Sequence, residues 1–110
     1  MGICLSNVIY SYPSRKEKIV LNIPKWSVQS GELVLIQGSS GSGKTTLLNI
    51  VAGLFRPLKG SVKVLDERID KMSNLKCDSY RANNIGYVFQ NFNLIPYLNV
   101  VDNIRLAARF

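Results

Sequence analysis

Gly38-Ser39-Ser40-Gly41-Ser42-Gly43-Lys44-Thr45 is the stretch on which the reading of this 110-residue chain turns. It satisfies G-x-x-x-x-G-K-[ST] in full, with an apolar run before it, Leu33-Val34-Leu35-Ile36, and a helical segment after it. Glycines allow backbone conformations that side chains would block, so successive N–H groups can point inward at phosphate oxygens. The following helix adds its positive N-terminal end. Lys44 brings a full charge to β- and γ-phosphates, the Thr45 hydroxyl is placed to ligate Mg²⁺, and Thr46 can donate one more hydrogen bond to the phosphates. The competing reading is a glycine-rich turn that precedes a helix by chance. Strand, loop and buried helix in the right order argue against it.

Working outward, Leu33–Ile36 has the pattern of a central parallel strand buried on both faces. The helix is expected from Lys44 to about Leu54. Leu47, Leu48, Ile50, Val51 and Leu54 cover most of its circumference, which predicts a largely buried helix ended by Gly53 and Arg56-Pro57. Towards the N-terminus, Ile3 to Tyr10 reads as a strand, Pro13-Ser14 turns it, and a second strand runs from about Ile19 to Val28 with Pro24 interrupting it. Ser30-Gly31 is a turn. Towards the C-terminus, Gly60-Ser61 opens a strand over Val62–Leu65. Residues 70–84 are polar with weak helical spacing (Met72, Leu75, Tyr80), and Ile85–Phe89 reads as a second buried strand. Asn91 to Leu98 is loop, and Asn99 can cap a last helix.

At 12.3 kDa, 46% hydrophobic and 19% charged, the composition fits one small globular domain. The longest near-apolar run, Leu47 to Phe55, is broken by Asn49 and Gly53 and is too short to span a membrane. With no histidine, imidazole chemistry is excluded within the chain. Cys4 and Cys77 match no zinc or redox spacing, so reduced thiols are expected. The net charge of +7 is spread along the chain with acids interleaved, and no aromatic-basic stripe accompanies it. A solvated surface is the expectation, and no nucleic-acid partner.

Four stretches in order resemble the nucleotide-binding domain of ABC transporters. Ser11-Tyr12-Pro13 is similar to the A-loop, whose aromatic ring stacks on adenine, with Tyr12 at the matching position. Ser30-Gly31-Glu32 is similar to the lead-in to the central strand. Gly38 to Thr46, followed by Leu47 to Leu54, resembles the Walker A motif and its helix. Ile85-Gly86-Tyr87-Val88-Phe89-Gln90 resembles the strand ending in the Q-loop glutamine, and residues 91–96 and 100–104 continue the pattern. The subgroup most similar in wording is the lipoprotein-releasing, macrolide-export and cell-division type.

The resemblance implies an α/β fold: the N-terminal part of an ABC-type P-loop NTPase core, with an antiparallel β-subdomain. It implies ATP and Mg²⁺ as ligands, with Gln90 contacting the metal and the attacking water. As partners it implies transporter membrane subunits and a second nucleotide-binding domain. The place it implies is the cytoplasmic face of the membrane. It covers residues 1–110 but only part of the family domain. The signature motif, the Walker B aspartate with its catalytic glutamate, the D-loop and the switch histidine have no counterpart here. The chain is therefore expected to bind ATP without hydrolysing it alone; the alternative is a non-catalytic fragment or decoy module from an interrupted reading frame. A P-loop kinase or GTPase is disfavoured, because no guanine-specifying Asn-Lys-x-Asp occurs.

Two further stretches imitate functional motifs. Val62-Lys63-Val64-Leu65-Asp66-Glu67 looks like a Walker B strand with its acidic pair. Lys63 in its middle instead suits a half-exposed antiparallel strand with Asp66-Glu67 in a solvated turn, where the family commonly has a glycine. Met1-Gly2-Ile3-Cys4-Leu5-Ser6 fits an N-myristoylation pattern, but the same residues are needed as the first strand.

Overall fold

The computed structural model describes residues 2–15, 17–39, 43–88 and 96–107. Its frame is a four-stranded antiparallel sheet of order β2-β1-β3-β4. Strand β1 spans Ile3–Tyr10, β2 Leu21–Val28, β3 Lys59–Val64 and β4 Glu67–Arg68. Among the described residues three α-helices accompany it: α1 over Lys44–Val51, α2 over Asn74–Asn84 and α3 over Val100–Ala107. Pro24 does not interrupt β2. That strand lies at the edge of the sheet, where a missing N–H costs no ladder bond.

The two central strands meet around an irregularity. Ser6 pairs with Ser61 but Ile9 pairs with Lys59, so Asn7 and Val8 together face Gly60. Asn7 absorbs the extra residue with φ 52, and Leu5 and Val8 both reach the core. Gly60 has φ 95, and a Cβ built on it would stand 2.3 Å from the Asn7 carbonyl oxygen. Only glycine fits opposite that bulge.

Beyond β3 the chain reverses through Leu65 and Asp66, at φ 51 and 67, the positive pair of a tight two-residue hairpin turn. Val62 and Val64 are buried while Lys63, Asp66 and Glu67 are exposed. This is the antiparallel reading of Val62–Glu67, with the turn one residue earlier than expected. The core joins Leu5, Val8, Tyr10, Val62 and Val64 of the sheet to Ile50 of α1 and to Ile69, Met72 and Cys77. Ser73 caps α2 by accepting from the Lys76 N–H at 3.2 Å, and Tyr80 donates to the Val64 carbonyl at 2.6 Å. The Asn99 cap on α3 forms as expected, with the Asp102 N–H 2.8 Å from Oδ1.

Three expectations are corrected. First, Leu33–Ile36 and Ile85–Val88 form no strands, and Leu33, Leu35 and Val88 are 99%, 79% and 96% exposed. A strand exists through its ladder partners, and among the described residues neither segment has an extended neighbour alongside it. Phe89 lies outside the described residues. Second, α1 is not buried all round. Only Thr46 and Ile50 are buried, and Leu48 and Leu54 stay exposed. The helix also stops at Val51, where Ala52, Gly53 and Leu54 turn their N–H groups back on its last carbonyls. Third, Leu75 faces solvent, and Cys77 is the buried residue of α2.

A charged contact fastens the hairpin to the segment before α2. The Asp70 carboxylate accepts from the Val62 N–H at 3.0 Å and from Arg68 Nε and Nη2 at 2.9 and 2.7 Å. Burial pushes the Asp70 carboxyl up, but the Arg68 guanidinium and the Val62 N–H outweigh it and hold the group below its usual range. A depressed carboxyl stabilises the fold above its unfolded value of about 4, and that gain is lost as pH falls through the lower folded value. Asp70→Asn is therefore expected to lower the urea midpoint at pH 7, with the gap to the parent closing as pH drops below about 4. Gly60→Ala, measured the same way, is expected to cost about 2–3 kcal/mol, because backbone and not a flexible side chain must move.

Candidate functional site: the N-terminal end of α1

The site is assembled where α1 begins. Gly43 precedes the helix at φ 96, a left-handed conformation, and its carbonyl accepts from the Leu47 N–H at 2.9 Å. A Cβ at Gly43 would come within 2.8 Å of Leu21 Cδ2, so the loop is pressed against the end of β2 as well. Lys44 folds back over the loop it closes. Its Nζ donates to the carbonyls of Gly38 and Ser39, the latter at 3.0 Å. Thr45 lies exposed on the first turn, and Thr46 turns inward and is buried.

Tyr12 enters from the other side. Its hydroxyl lies 2.8 Å from Thr46 Oγ1, across 34 residues of sequence. The ring is held by two others. Tyr10 and Phe55 stack with centroids 5.5 Å apart and planes 5° from parallel, and Tyr12 stands edge-on to both at 5.5 and 6.0 Å. Burial, with Tyr12 adding to it, pushes the Tyr10 phenol above its ordinary value, so Tyr10 remains a neutral packing group.

The structure thus brings together Tyr12, Gly38, Ser39, Gly43, Lys44, Thr45 and Thr46. Ser40, Gly41, Ser42 and Gln90 lie outside the described residues. The segment leading to Gln90 is tied to α1 by Tyr87, whose hydroxyl donates to Asn49 Oδ1 at 2.7 Å. Neither that bond nor the support from Tyr10 and Phe55 was visible beforehand. Each joins residues far apart in sequence, and the only available signal was that these aromatics flank the motifs.

The donor set has one chemical character. An ammonium, two hydroxyls and the N–H groups of a helix's first turn all offer protons, and the first turn of α1 holds no acidic side chain. Such a set fits a polyanion. The open groove at the opposite end of α1 differs, although Arg56 and Arg81 line it. Arg56 is spent on the Asp70 and Met72 carbonyls and on Asn74 Oδ1, and Arg81 is paired with Asp78 at 2.7 Å. Arg81 is neutralised there by a carboxylate and Arg56 is held by three acceptors, whereas Lys44 meets two backbone carbonyls of the loop and no carboxylate.

A phosphate loop leading into a helix beside a small antiparallel sheet defines a class, the P-loop nucleotide-binding proteins with an attached β-subdomain. The comparisons narrow the class. Residues 21–109 match the family model described as ABC transporter, and the chain belongs to that family. It is 46% identical over 83 residues to the lipoprotein-releasing system ATP-binding protein LolD of Cytophaga hutchinsonii, covering 76% of this chain and 38% of that protein. Over 82 residues it is 40% identical to the macrolide export ATP-binding/permease protein MacB of Rhodopirellula baltica, covering 74% of this chain and 12% of that one. Both names fall in the subgroup that the sequence resembled. The dimeric structure of the ABC transporter cassette MJ0796, a Methanocaldococcus jannaschii protein, superposes with a TM-score of 0.86 at 37% identity, over 96% of this chain and 46% of that one. A post-hydrolysis state of the same cassette, bound to ADP and phosphate, gives 0.83. The chain spans less than half the length of these relatives.

The left-handed Gly43 is open to a direct check. Gly43→Ala is expected to lower the free energy of unfolding by about 1–2 kcal/mol, from the cost of a Cβ at positive φ and the displacement of Leu21. Urea denaturation followed by circular dichroism measures it.

Proposed function

We propose that this chain is the nucleotide-binding portion of an ABC transporter ATP-binding subunit, holding Mg-ATP on the loop before α1 to power transport. The observation that carries the reading is the convergence of Gly43, Lys44, Thr46 and Tyr12 on one helix end, in a chain whose relatives are ATP-binding proteins. In this reading the loop amides from Gly38 to Gly43, with Ser39, Ser40, Gly41 and Ser42 between them, surround the phosphates. Lys44 exchanges its two loop carbonyls for phosphate oxygens. Thr45 and Gln90 hold Mg²⁺, which screens the phosphate charge, Thr46 donates to a phosphate, and Tyr12 stands at the adenine end.

Hydrolysis needs a carboxylate at the attacking water and a second signature loop over the nucleotide. Residues 1–110 supply neither, so the chain binds and does not turn over by itself. Transporter membrane subunits and a second cassette complete the machine at the cytoplasmic face. Among the described residues no helix is long and apolar enough to cross a membrane. Exposed Leu33, Leu35 and Val88 favour a second reading, a non-catalytic fragment that lacks the partners its apolar segments require.

Titration with a fluorescent ATP analogue in Mg²⁺ tests the first reading. Saturable binding displaced by ATP is expected, weakened at least about tenfold in Lys44→Ala, which removes a charge-assisted contact. Steady-state phosphate release that disappears in Lys44→Ala would refute the claim that the chain does not turn over.

A further inference from the structure

Resting on the nucleotide reading above, we propose that Tyr12 works through its hydroxyl at the phosphate end of the site. It is a positioning residue that holds the Thr46 hydroxyl with its proton free for a phosphate oxygen. A ring recruited only to stack on a base needs no hydroxyl. Here the hydroxyl is engaged, 2.8 Å from Thr46 Oγ1, and that oxygen belongs to a buried side chain in the first turn of α1.

The direction of the bond follows from donor strength. A phenol is a stronger donor than an aliphatic alcohol, so Tyr12 gives its proton and Thr46 accepts. A threonine hydroxyl has one proton and two lone pairs, so accepting from Tyr12 leaves its own proton available. A hydroxyl that accepts one bond also donates the next more strongly. Without Tyr12, a helical threonine has a ready alternative: it donates to the carbonyl a turn back, here near Gly43, and its proton turns away from the ligand. The Tyr12 hydroxyl, by occupying a lone pair of Oγ1 and restricting the rotamer, limits the directions in which that proton can point.

Tyr12 is itself fixed for the task. Its carbonyl accepts from the Arg15 N–H at 2.9 Å, and its ring stands edge-on to the stacked Tyr10–Phe55 pair. Phe55 lies just beyond the C-terminal end of α1, and Tyr10 ends β1. The end of β1, the first turn of α1 and Phe55 beyond that helix therefore all bear on one hydroxyl pair.

The test uses a ligand without a base. Binding of inorganic tripolyphosphate and of ATP, both with Mg²⁺, is measured by displacement of the fluorescent analogue from the full chain and from Tyr12→Phe, Thr46→Val, Thr46→Ser and the Tyr12→Phe/Thr46→Val double variant. Tyr12→Phe keeps the ring. It is expected to weaken tripolyphosphate about three- to tenfold, the size of one hydrogen bond. Thr46→Val is expected to do the same, the double variant to lose no more than either single one, and Thr46→Ser to retain most of the affinity. Tripolyphosphate affinity unchanged in Tyr12→Phe, or losses that add in the double variant, would overturn the proposal while the nucleotide reading stands. Should Tyr12→Phe not fold, equal tripolyphosphate affinities for Thr46→Val and Thr46→Ser overturn it, and a loss restored only by the serine supports it. Failure of the unaltered chain to bind either ligand overturns both.

Discussion

Ile50 is the side chain through which the phosphate loop is anchored to the rest of the molecule. It is 1% exposed and shares the core cluster with Leu5, Val8 and Val62, whereas Leu48 on another face of the same helix is half exposed. Burying one such side chain contributes about 1.5–3 kcal/mol, and no other residue of α1 but Thr46 is buried. The direction in which the helix points its first-turn N–H groups thus depends on apolar packing led by Ile50, with Leu47 and Val51 partly buried against the same core. That packing depends in turn on the bulge at Asn7, which brings both Leu5 and Val8 into the core. The bulge exists because residue 60 has no side chain. The core against which α1 packs is therefore shaped by a glycine that no phosphate-binding motif contains.

The segments that form strands and the two apolar segments that do not are divided by hydrogen-bond accounting. Each of the strands β1 to β4 has at least one antiparallel neighbour, and the N–H groups flanking them also find carbonyls, as Gly2 does with Val28 and Leu65 with Gly2. Leu33–Ile36 and Ile85–Val88 are at least as apolar, yet they take no regular form. Apolar character calls for burial, but extended backbone also needs a ladder on each side to be buried without loss. Among the described residues no strand offers either segment that ladder.

That distinction also separates what was legible beforehand from what was not. Motifs confined to consecutive residues could be read: the loop into α1, the Asn99 cap, and the antiparallel nature of Val62–Glu67, which Lys63 betrays. Family membership was legible for the same reason, since the four stretches that carry it are local. The missing strands were not, because Leu33–Ile36 has the composition of a buried parallel strand and composition does not record whether a neighbour is present. The burial of α1 was over-read on similar grounds. Leu48 and Leu54 are apolar, but each is left nearly half exposed. Cys77 gives the converse case. A polar helix with a weak period hid the residue that is fully buried, and Leu75 looked the better candidate by hydrophobicity alone.

The candidate site adds a further limit, since its parts are read separately but act together. Tyr12 and Thr46 each match a position in a motif, and the motifs assign them to opposite ends of a nucleotide. The fold places their oxygens 2.8 Å apart. Two contacts assigned to different parts of a ligand then share one hydrogen bond before any ligand arrives, so their contributions to binding cannot be independent. Part of the ordering that a phosphate would otherwise impose on Thr46 is already carried out by Tyr10 and Phe55, through the ring they hold. Preorganisation of this kind leaves less entropy to be lost on binding. The aromatic pair has no place in any phosphate-binding motif, yet it bears on the first turn of α1: the pair packs against Tyr12, and the Tyr12 hydroxyl meets Thr46.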